Sequence, residues 1–402
     1  MTKKIDMIVV GAGASGLMCA GTAVENGRKV LVLEKNRVAG KKLAITGKGR
    51  CNVTNNCDRD EFFFNIVRNP RFLYSSYSSF TPQDTMSFFE SRGVPLKTER
   101  GNRVFPVSDK ASDIVRALEN YCGSENIIQK EVEDLIAEDG GVRGVLCKDG
   151  TRYFSEKVVL CTGGLSYPAT GSTGKGLEIA SKYGHTVITP EPSLVPLETK
   201  EVFPLQGLAL KNVTVTIIKK SGKSPPRSEP GEMMFTHFGV SGPLILSASS
   251  FCESGDSISI DLKPGLDEKT LDRRICGDFA KNINKNFKNS LKDLLPLKLI
   301  PVIIEKSGIS AEKKVCLITK EERLFFVRLI KNFTFEVKRK RPLSEAIITS
   351  GGVSVDEINP KTMESRILKG LYFAGEIIDV DAYTGGFNLQ IAFMTGRAVG
   401  KV

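Results

Sequence analysis

The chain is built from short apolar runs separated by polar, glycine-punctuated stretches, and the first run sets the frame. Met7–Val10 is a continuous apolar run of the kind that lies buried in a parallel sheet. It passes directly into Gly11-Ala-Gly13-Ala14-Ser15-Gly16. A helical apolar pattern follows and ends near Asn26-Gly27, where glycine suits a helix C-terminus. A second apolar run, Val30–Leu33, ends on Glu34. The order predicts a βαβ unit at the head of the chain.

The later pattern predicts more elements of both kinds. Lys35 to Asn55, with its glycines, cations and short polar side chains, reads as a loop that presents N–H groups and cations to an anion. Residues 71–122 read as helices around a short strand at 101–107. Ile127–Leu135 and Gly144–Cys147, the latter running into Asp149-Gly150, read as small strands with a hairpin turn. Val158–Cys161 is another buried strand, running into Thr162-Gly163-Gly164. From Pro190 the pattern changes. EPSLVPLE reads as a linker, and Val213, Val215 and Ile217 alternate with polar residues as in a half-buried strand. Residues 221–230 form a polar loop, and Ser257–Leu262 one more strand. Residues 267–330 carry helical spacing throughout. The chain then returns to strands at Ala346–Thr349 and 370–373, and Phe387 opens a closing helix.

The glycine turn is the first candidate chemistry. Gly11 permits the tight turn, Gly13 lets backbone approach a pyrophosphate, and Gly16 lets helix and strand pack closely. Helix amides favour the phosphate charge. Glu34 stands where a carboxylate can accept from ribose hydroxyls. The same residues are equally a glycine-rich turn that binds nothing, but strand, helix and acid together favour a dinucleotide. At the other end, the first amides of the closing helix could face the pyrimidine edge of a flavin and stabilise its reduced, anionic form.

Composition narrows the class. A chain of 402 residues suggests two or three domains, and 41% hydrophobic with 26% charged residues is ordinary for a globular protein. The opening MTKKID lacks the apolar stretch of a signal peptide, and no apolar run is long enough to span a membrane. Nine cysteines, none in a C-x-x-C pair, read as reduced thiols with no disulfide frame and no metal site. A cytoplasmic protein is expected. The net charge of +11 is concentrated: residues 263–341 hold 20 Lys and Arg against 10 Asp and Glu. That segment could meet nucleic acid, or it could be a solvated helical surface.

Read together, GAGASGLMCA, KLAITGKGRCNVTN, RVFPVS, ATGSTGKG, GEMMFTHFGVSGP, PKTMES and GLYFAGEIIDVDAYTGGFNLQ resemble an FAD-dependent flavoprotein of the two-dinucleotide-binding-domain class. More narrowly they resemble a bacterial family of aminoacetone oxidase-like or dehydro-bile-acid reductase-like flavoproteins, over essentially the whole chain. The resemblance implies an α/β fold. A Rossmann-like, glutathione reductase-type FAD-binding domain would use both chain ends, 1–189 and 342–402. A β-rich domain (190–264 and 331–341) and a small basic helical domain (265–330) would be inserted.

By position, Gly11, Gly13, Ala14, Ser15 and Gly16 would hold the pyrophosphate, and Glu34 the ribose. Lys35, Lys41, Lys42, Thr46, Gly47, Gly49, Arg50, Cys51 and Asn52 would line the flavin and its phosphates. Val132 would offer backbone to the adenine, and Thr162 and Gly163 would sit by the FAD. Gly375, Glu376, Asn388, Leu389 and Gln390 would hold the ribityl chain and flavin ring. Asn102 departs from the pattern, where glycine more often runs straight into arginine, which leaves the aim of Arg103 open.

The expected function is an FAD oxidoreductase exchanging hydride between flavin N5 and a small organic substrate in a cleft beside the inserted domain. No second strand–G-x-G-x-x-G–helix unit is present, so NAD(P)H would dock transiently if it is the reductant. The chain has two histidines, His185 and His237. His237, in a glycine-rich turn, is the candidate base, and Arg103 a candidate cleft residue. The alternatives are a flavoprotein acting on RNA through the basic segment, and a non-catalytic FAD sensor.

Overall fold

The computed structural model describes residues 5–201, 204–222 and 228–402. The head of the chain forms β1 (Met7–Val10), α1 (Ala14–Glu25) and β2 (Val30–Glu34). Every residue of both strands is buried, which is why the sequence shows continuous apolar runs there instead of alternation.

The two strands sit in a parallel five-stranded sheet. Its order is Leu371–Phe373, Val158–Leu160, β1, β2 and Ile127–Gln129. The central strand comes from the start of the chain and an edge strand from near its end. In such a sheet a ligand sits beyond the carboxyl ends of the strands. Those ends lead here into Gly11–Gly16, Glu34, Thr162-Gly163 and Gly375-Glu376. The closing helix Phe387–Gly400 packs on α1, with Gly396 so close that a Cβ would stand 2.3 Å from Ser15 O.

The chain divides into two units, Met1–Ser193 with Leu343–Val402, and Leu194–Pro342. The second is a closed six-stranded antiparallel barrel, in the order Leu197–Thr199, Gly239–Ser241, Ser228–Phe235, Ala209–Ile218, Ser257–Asp261 and Phe333–Lys340. Helices Glu268–Lys281, Ile300–Ser307 and Lys320–Lys331 belong to the same unit. Barrel residues such as Val215 and Ile258 share one hydrophobic core with Leu271, Ile303 and Phe326 of these helices. The β-rich and helical segments expected as separate domains therefore share a core.

Several local expectations change. The stretch read as a linker from Pro190 begins inside a strand, Val187–Ser193, paired antiparallel with Ile348–Val353. Pro190 falls where the register slips between Ile188 and Glu191, and Pro192, opposite Thr349, is tolerated because each strand of this two-stranded sheet is an edge. The Lys35–Asn55 loop contains a short helix, Lys41–Ile45, a 3-10 turn, Thr46–Gly49, and a two-residue strand, Thr54–Asn55. The run 127–135 is split between two sheets, with Val132–Glu138 pairing with Gly141–Cys147. Residues 223–227 of the expected polar loop lie outside the described residues. Among the described residues no helix is long and apolar enough to cross a membrane.

Candidate FAD site

The phosphate end of the site is built by the turn between β1 and α1. Gly16 is required by contact: a Cβ there would stand 1.9 Å from Gly11 O. Gly13 is different. Nothing lies within 4 Å of the Cβ it lacks, so the turn keeps an open face there. Gly13 is also the N-cap of α1, with no side-chain cap, and the first turn carries no acid. The positive end of a twelve-residue helix is thus offered to an anion. Ala14 opens that helix, and Ser15 Oγ lies 2.5 Å from where a Gly375 Cβ would stand. Front and rear of the chain meet at this point.

Glu34 is buried at the end of β2. Its Oε2 accepts from Ala12 N at 2.8 Å and its Oε1 from Asn36 N at 2.8 Å and Asn36 Nδ2 at 2.7 Å. The carboxylate is therefore clamped against the glycine turn. Two loops close beside it: Lys35 Nζ donates to Thr173 Oγ1 (3.1 Å), Asn36 Nδ2 to Thr170 O (3.0 Å) and Lys41 Nζ to Ala169 O (2.7 Å). Val132 is buried at the start of the strand after Lys130, whose N–H donates to Glu34 O.

The rear segment is tied to the front loop by charge. Lys42 Nζ donates to Glu376 Oε2 at 2.6 Å and to Ser166 Oγ at 2.7 Å. Glu376 Oε1 accepts from Ser166 Oγ at 2.9 Å and from Thr349 N at 2.8 Å. Gly375 N donates to Thr395 Oγ1 of the closing helix. That helix is N-capped by Gly386, again without a side-chain cap or a first-turn acid.

The residues differ in what they leave available. Asn388 is spent on its own turn: Nδ2 donates to Ala382 O and Tyr383 O, and Oδ1 accepts from Ala382 N. Gln390 is wholly buried, donating to Phe80 O and accepting from Thr54 and Thr85 hydroxyls, while its N–H bonds Gly386 O. Its side chain is a structural tie within the core. Half-buried Leu389 and the backbone of Asn388 keep first-turn amides with no intrahelical acceptor.

Elsewhere the loop is held by itself. Thr46 Oγ1 donates to Leu43 O. Gly47 and Lys48 are left-handed, and Gly49 has open space about it. Arg50 lies 4.1 Å over the Phe105 ring and pairs with Glu99 and Asp109. Burial pushes the Cys51 and Cys161 thiols up to about 12, which keeps both protonated and inert.

The fit to a dinucleotide shows in what lacks a partner. Asn52 Oδ1, Asn55 Oδ1 and Thr162 Oγ1 are buried without a hydrogen-bond partner among the described residues. All three lie next to the glycine turns and uncapped helix ends. Open Gly13, two uncapped helix N-termini, the Glu34 carboxylate and these orphaned polar atoms together suit FAD.

The catalytic candidates lie differently. Arg103 is exposed and its Nε donates to Arg100 O, beyond the left-handed turn at Asn102. His237 is exposed in the barrel unit, edge-on to Phe238 at 4.9 Å. His185 is structural: it is buried, bonded to Ser365 Oγ and Ala180 O, and burial lowers its affinity for a proton. Asp381 lies in the turn that follows Glu376, where nothing local in the sequence marks it out. It is buried beneath Ser193 and Ser350 hydroxyls, and burial raises its carboxyl to about 6. Ser166 and Thr349 likewise carry no local signal, and Asn55 is the last residue of KLAITGKGRCNVTN.

Known proteins place this geometry. The model of the HI0933-like protein Rossmann domain matches residues 5–402. A ribosomal RNA dihydrouridine synthase of Haemophilus influenzae is 32% identical over 404 residues, 99% of this chain and 98% of that protein. A 3-dehydro-bile acid delta(4,6)-reductase of Clostridium scindens is 28% identical over 406 residues, 98% of this chain and 97% of that protein. A 3-ketosteroid delta1-dehydrogenase structure from Sterolibacterium denitrificans, in complex with 1,4-androstadiene-3,17-dione, shares the fold with a TM-score of 0.51 at 15% identity, covering 100% of this chain and 99% of that one. The chain belongs to the HI0933-like family of Rossmann-fold proteins and is an FAD-dependent oxidoreductase.

Proposed function

We propose that the protein reduces a carbon–carbon double bond conjugated with a carbonyl, and that the bond is C5=C6 of a uridine in ribosomal RNA. By their names, the two relatives above share that chemistry: one saturates uridine, the other an unsaturated ketosteroid. Bound FAD would supply the hydride, with a transiently docked nicotinamide as its reductant.

The observation that carries the RNA reading is the distribution of cations. Within the basic segment, Lys288, Lys313, Arg323 and Lys331 are paired with acids. Lys269, Arg273 and Lys281 make no close ion pair among the described residues, although Asp267 feels the charge of Lys269 and Arg273. They are exposed and recur at four- and eight-residue spacing along helix Glu268–Lys281, so they share one face. Such a stripe suits a phosphate backbone. A small unsaturated ketone acid, the second reading, needs no stripe of this length.

The chain's own groups would hold and orient. The α1 amides receive pyrophosphate, Glu34 the ribose, and the Lys42–Glu376 link fixes the rear loop. His237 and Arg103 are each proposed, separately, as residues that turnover needs; an arginine keeps its proton at working pH, so only His237 is a candidate for supplying one. His237→Gln and Arg103→Met should then slow turnover and leave flavin content unchanged. The test of the substrate is dihydrouridine mapping in ribosomal RNA from cells with and without the gene. Loss of one dihydrouridine on deletion supports the reading, and an unchanged map overturns it.

A further inference from the structure

Leu96–Glu99, Arg103–Pro106 and Thr54–Asn55 form one small antiparallel sheet. Phe105 of its middle strand is buried, and three segments meet on its ring. The Arg50 guanidinium lies 4.1 Å over the ring, and that of Arg103 lies 5.9 Å from its centre. Gly47 packs so close that a Cβ would stand 3.3 Å from Phe105 Cε1. Lys48, next in the same left-handed turn, is exposed.

The cations gathered here differ in what neutralises them. Arg50 Nη1 meets Glu99 at 2.9 Å and Asp109 at 3.3 Å, and Lys97 Nζ meets Asp109 at 2.7 Å. Glu99 faces Arg103 across the sheet, but its two oxygens accept from Arg50. Lys48, Arg100 and Arg103 make no ion pair among the described residues, and all three are exposed. Arg103 is nonetheless oriented. Its Nε donates to Arg100 O at 3.0 Å, which leaves both Nη groups as an open fork. Such a fork matches two oxygens of a phosphate.

Unpaired surface cations are common, so position decides. The turn before Arg103 adjoins the turn that caps the closing helix, because Asn55 Nδ2 donates to Gly101 O at 3.1 Å and to Gly385 O at 3.0 Å. We propose that Lys48, Arg100 and Arg103 form a cationic rim that binds RNA phosphodiesters beside this end of the candidate site, with the Arg103 fork on one phosphate. The inference deepens the RNA reading and rests on it. A single carboxylate needs one cation, whereas three separate cations suit consecutive phosphates. The rim also gives Arg103 a part in turnover that needs no proton transfer.

The probe is a fluorescein-labelled heptauridylate, titrated into FAD-loaded protein at several salt concentrations and followed by anisotropy and flavin absorbance. Lys48→Met, Arg100→Met and Arg103→Met together should flatten log K against log salt by about 2, since each single-strand phosphate contact contributes roughly 0.7. Saturating RNA should perturb the flavin spectrum of wild type and of a protein with Lys269, Arg273 and Lys281 replaced by alanine. It should not perturb that of the rim variant. All three rim side chains are exposed, so melting temperature and flavin content should hold. Wild-type protein that does not bind heptauridylate at low salt, or a rim variant with an unchanged slope or an unchanged flavin response, overturns the proposal. So does a rim variant that loses its flavin, or one that binds RNA as before and cholate, a steroid carboxylate, more weakly. Dihydrouridine mapping is read separately. An unchanged map with rim-dependent RNA binding removes uridine reduction and keeps the rim. Loss of a dihydrouridine on deletion, beside a rim variant that binds as wild type does, removes the rim alone.

Discussion

Lys42 Nζ donates to Glu376 Oε2 at 2.6 Å, joining residues 334 positions apart in the chain. The loop after the first βαβ unit is thereby fastened to the strand end from the rear of the sequence. Both side chains are partly exposed, so the pair adds at most about 1 kcal/mol to folding. Its larger effect should be on the ligand. Lys42→Met should lower the melting temperature only slightly and weaken FAD binding about tenfold, measured by titrating apoprotein. A large stability loss with unchanged affinity would show the pair to be purely structural.

Gly13 and Gly16 should separate folding from binding. Gly16→Ala drives a Cβ into Gly11 O and should cost more than about 2 kcal/mol, seen as a low melting temperature and poor yield. Gly13→Ala meets nothing in the protein. It should fold like wild type yet purify without flavin, because the methyl group occupies the space into which pyrophosphate must come.

Asp381 gives the pH prediction. Burial raises its carboxyl to about 6, against an ordinary value near 4. A carboxyl raised on folding stabilises the native state when protonated, so its contribution falls as pH climbs from about 4 through 6. Asp381→Asn keeps an acceptor for one of the two serine hydroxyls, offers the other an N–H that its oxygen can accept, and removes the charge. Urea denaturation should find the variant about 1–3 kcal/mol more stable than wild type at pH 8, with the gap closing below pH 4 or so. A gap that widens at low pH would contradict this assignment.

The basic stripe predicts a salt dependence. Replacing Lys269, Arg273 and Lys281 by alanine should weaken RNA binding and flatten log K against log salt by up to about 3. Flavin content should not change. RNA affinity that ignores all three substitutions would place the RNA elsewhere or remove it.

How much of this was readable beforehand depended on range. β1, α1 and β2 were legible almost to the residue, because buried parallel strands and a glycine turn are written in adjacent positions. The strand at Val187–Ser193 was not, because its prolines suggest a linker and only pairing with Ile348–Val353 makes it a strand. The barrel was legible as alternation at Val213, Val215 and Ile217, but its closure joins strands from Leu197 to Lys340, which no local pattern carries. The site divided in the same way. Gly13 and Glu34 follow from spacing. The Ser166–Glu376–Thr349 network and the core role of Gln390 arise from contacts across the fold, and could not be read from their neighbours in sequence.

The most direct measurement is anaerobic. Holoprotein with its flavin reduced would be mixed with ribosomal RNA from the deletion strain, following flavin absorbance and then digesting the RNA for nucleoside mass analysis. Prompt reoxidation of the flavin, with one dihydrouridine formed per flavin, is the predicted result. Flavin that stays reduced with RNA, or that is reoxidised only by a small unsaturated ketone, would contradict the account.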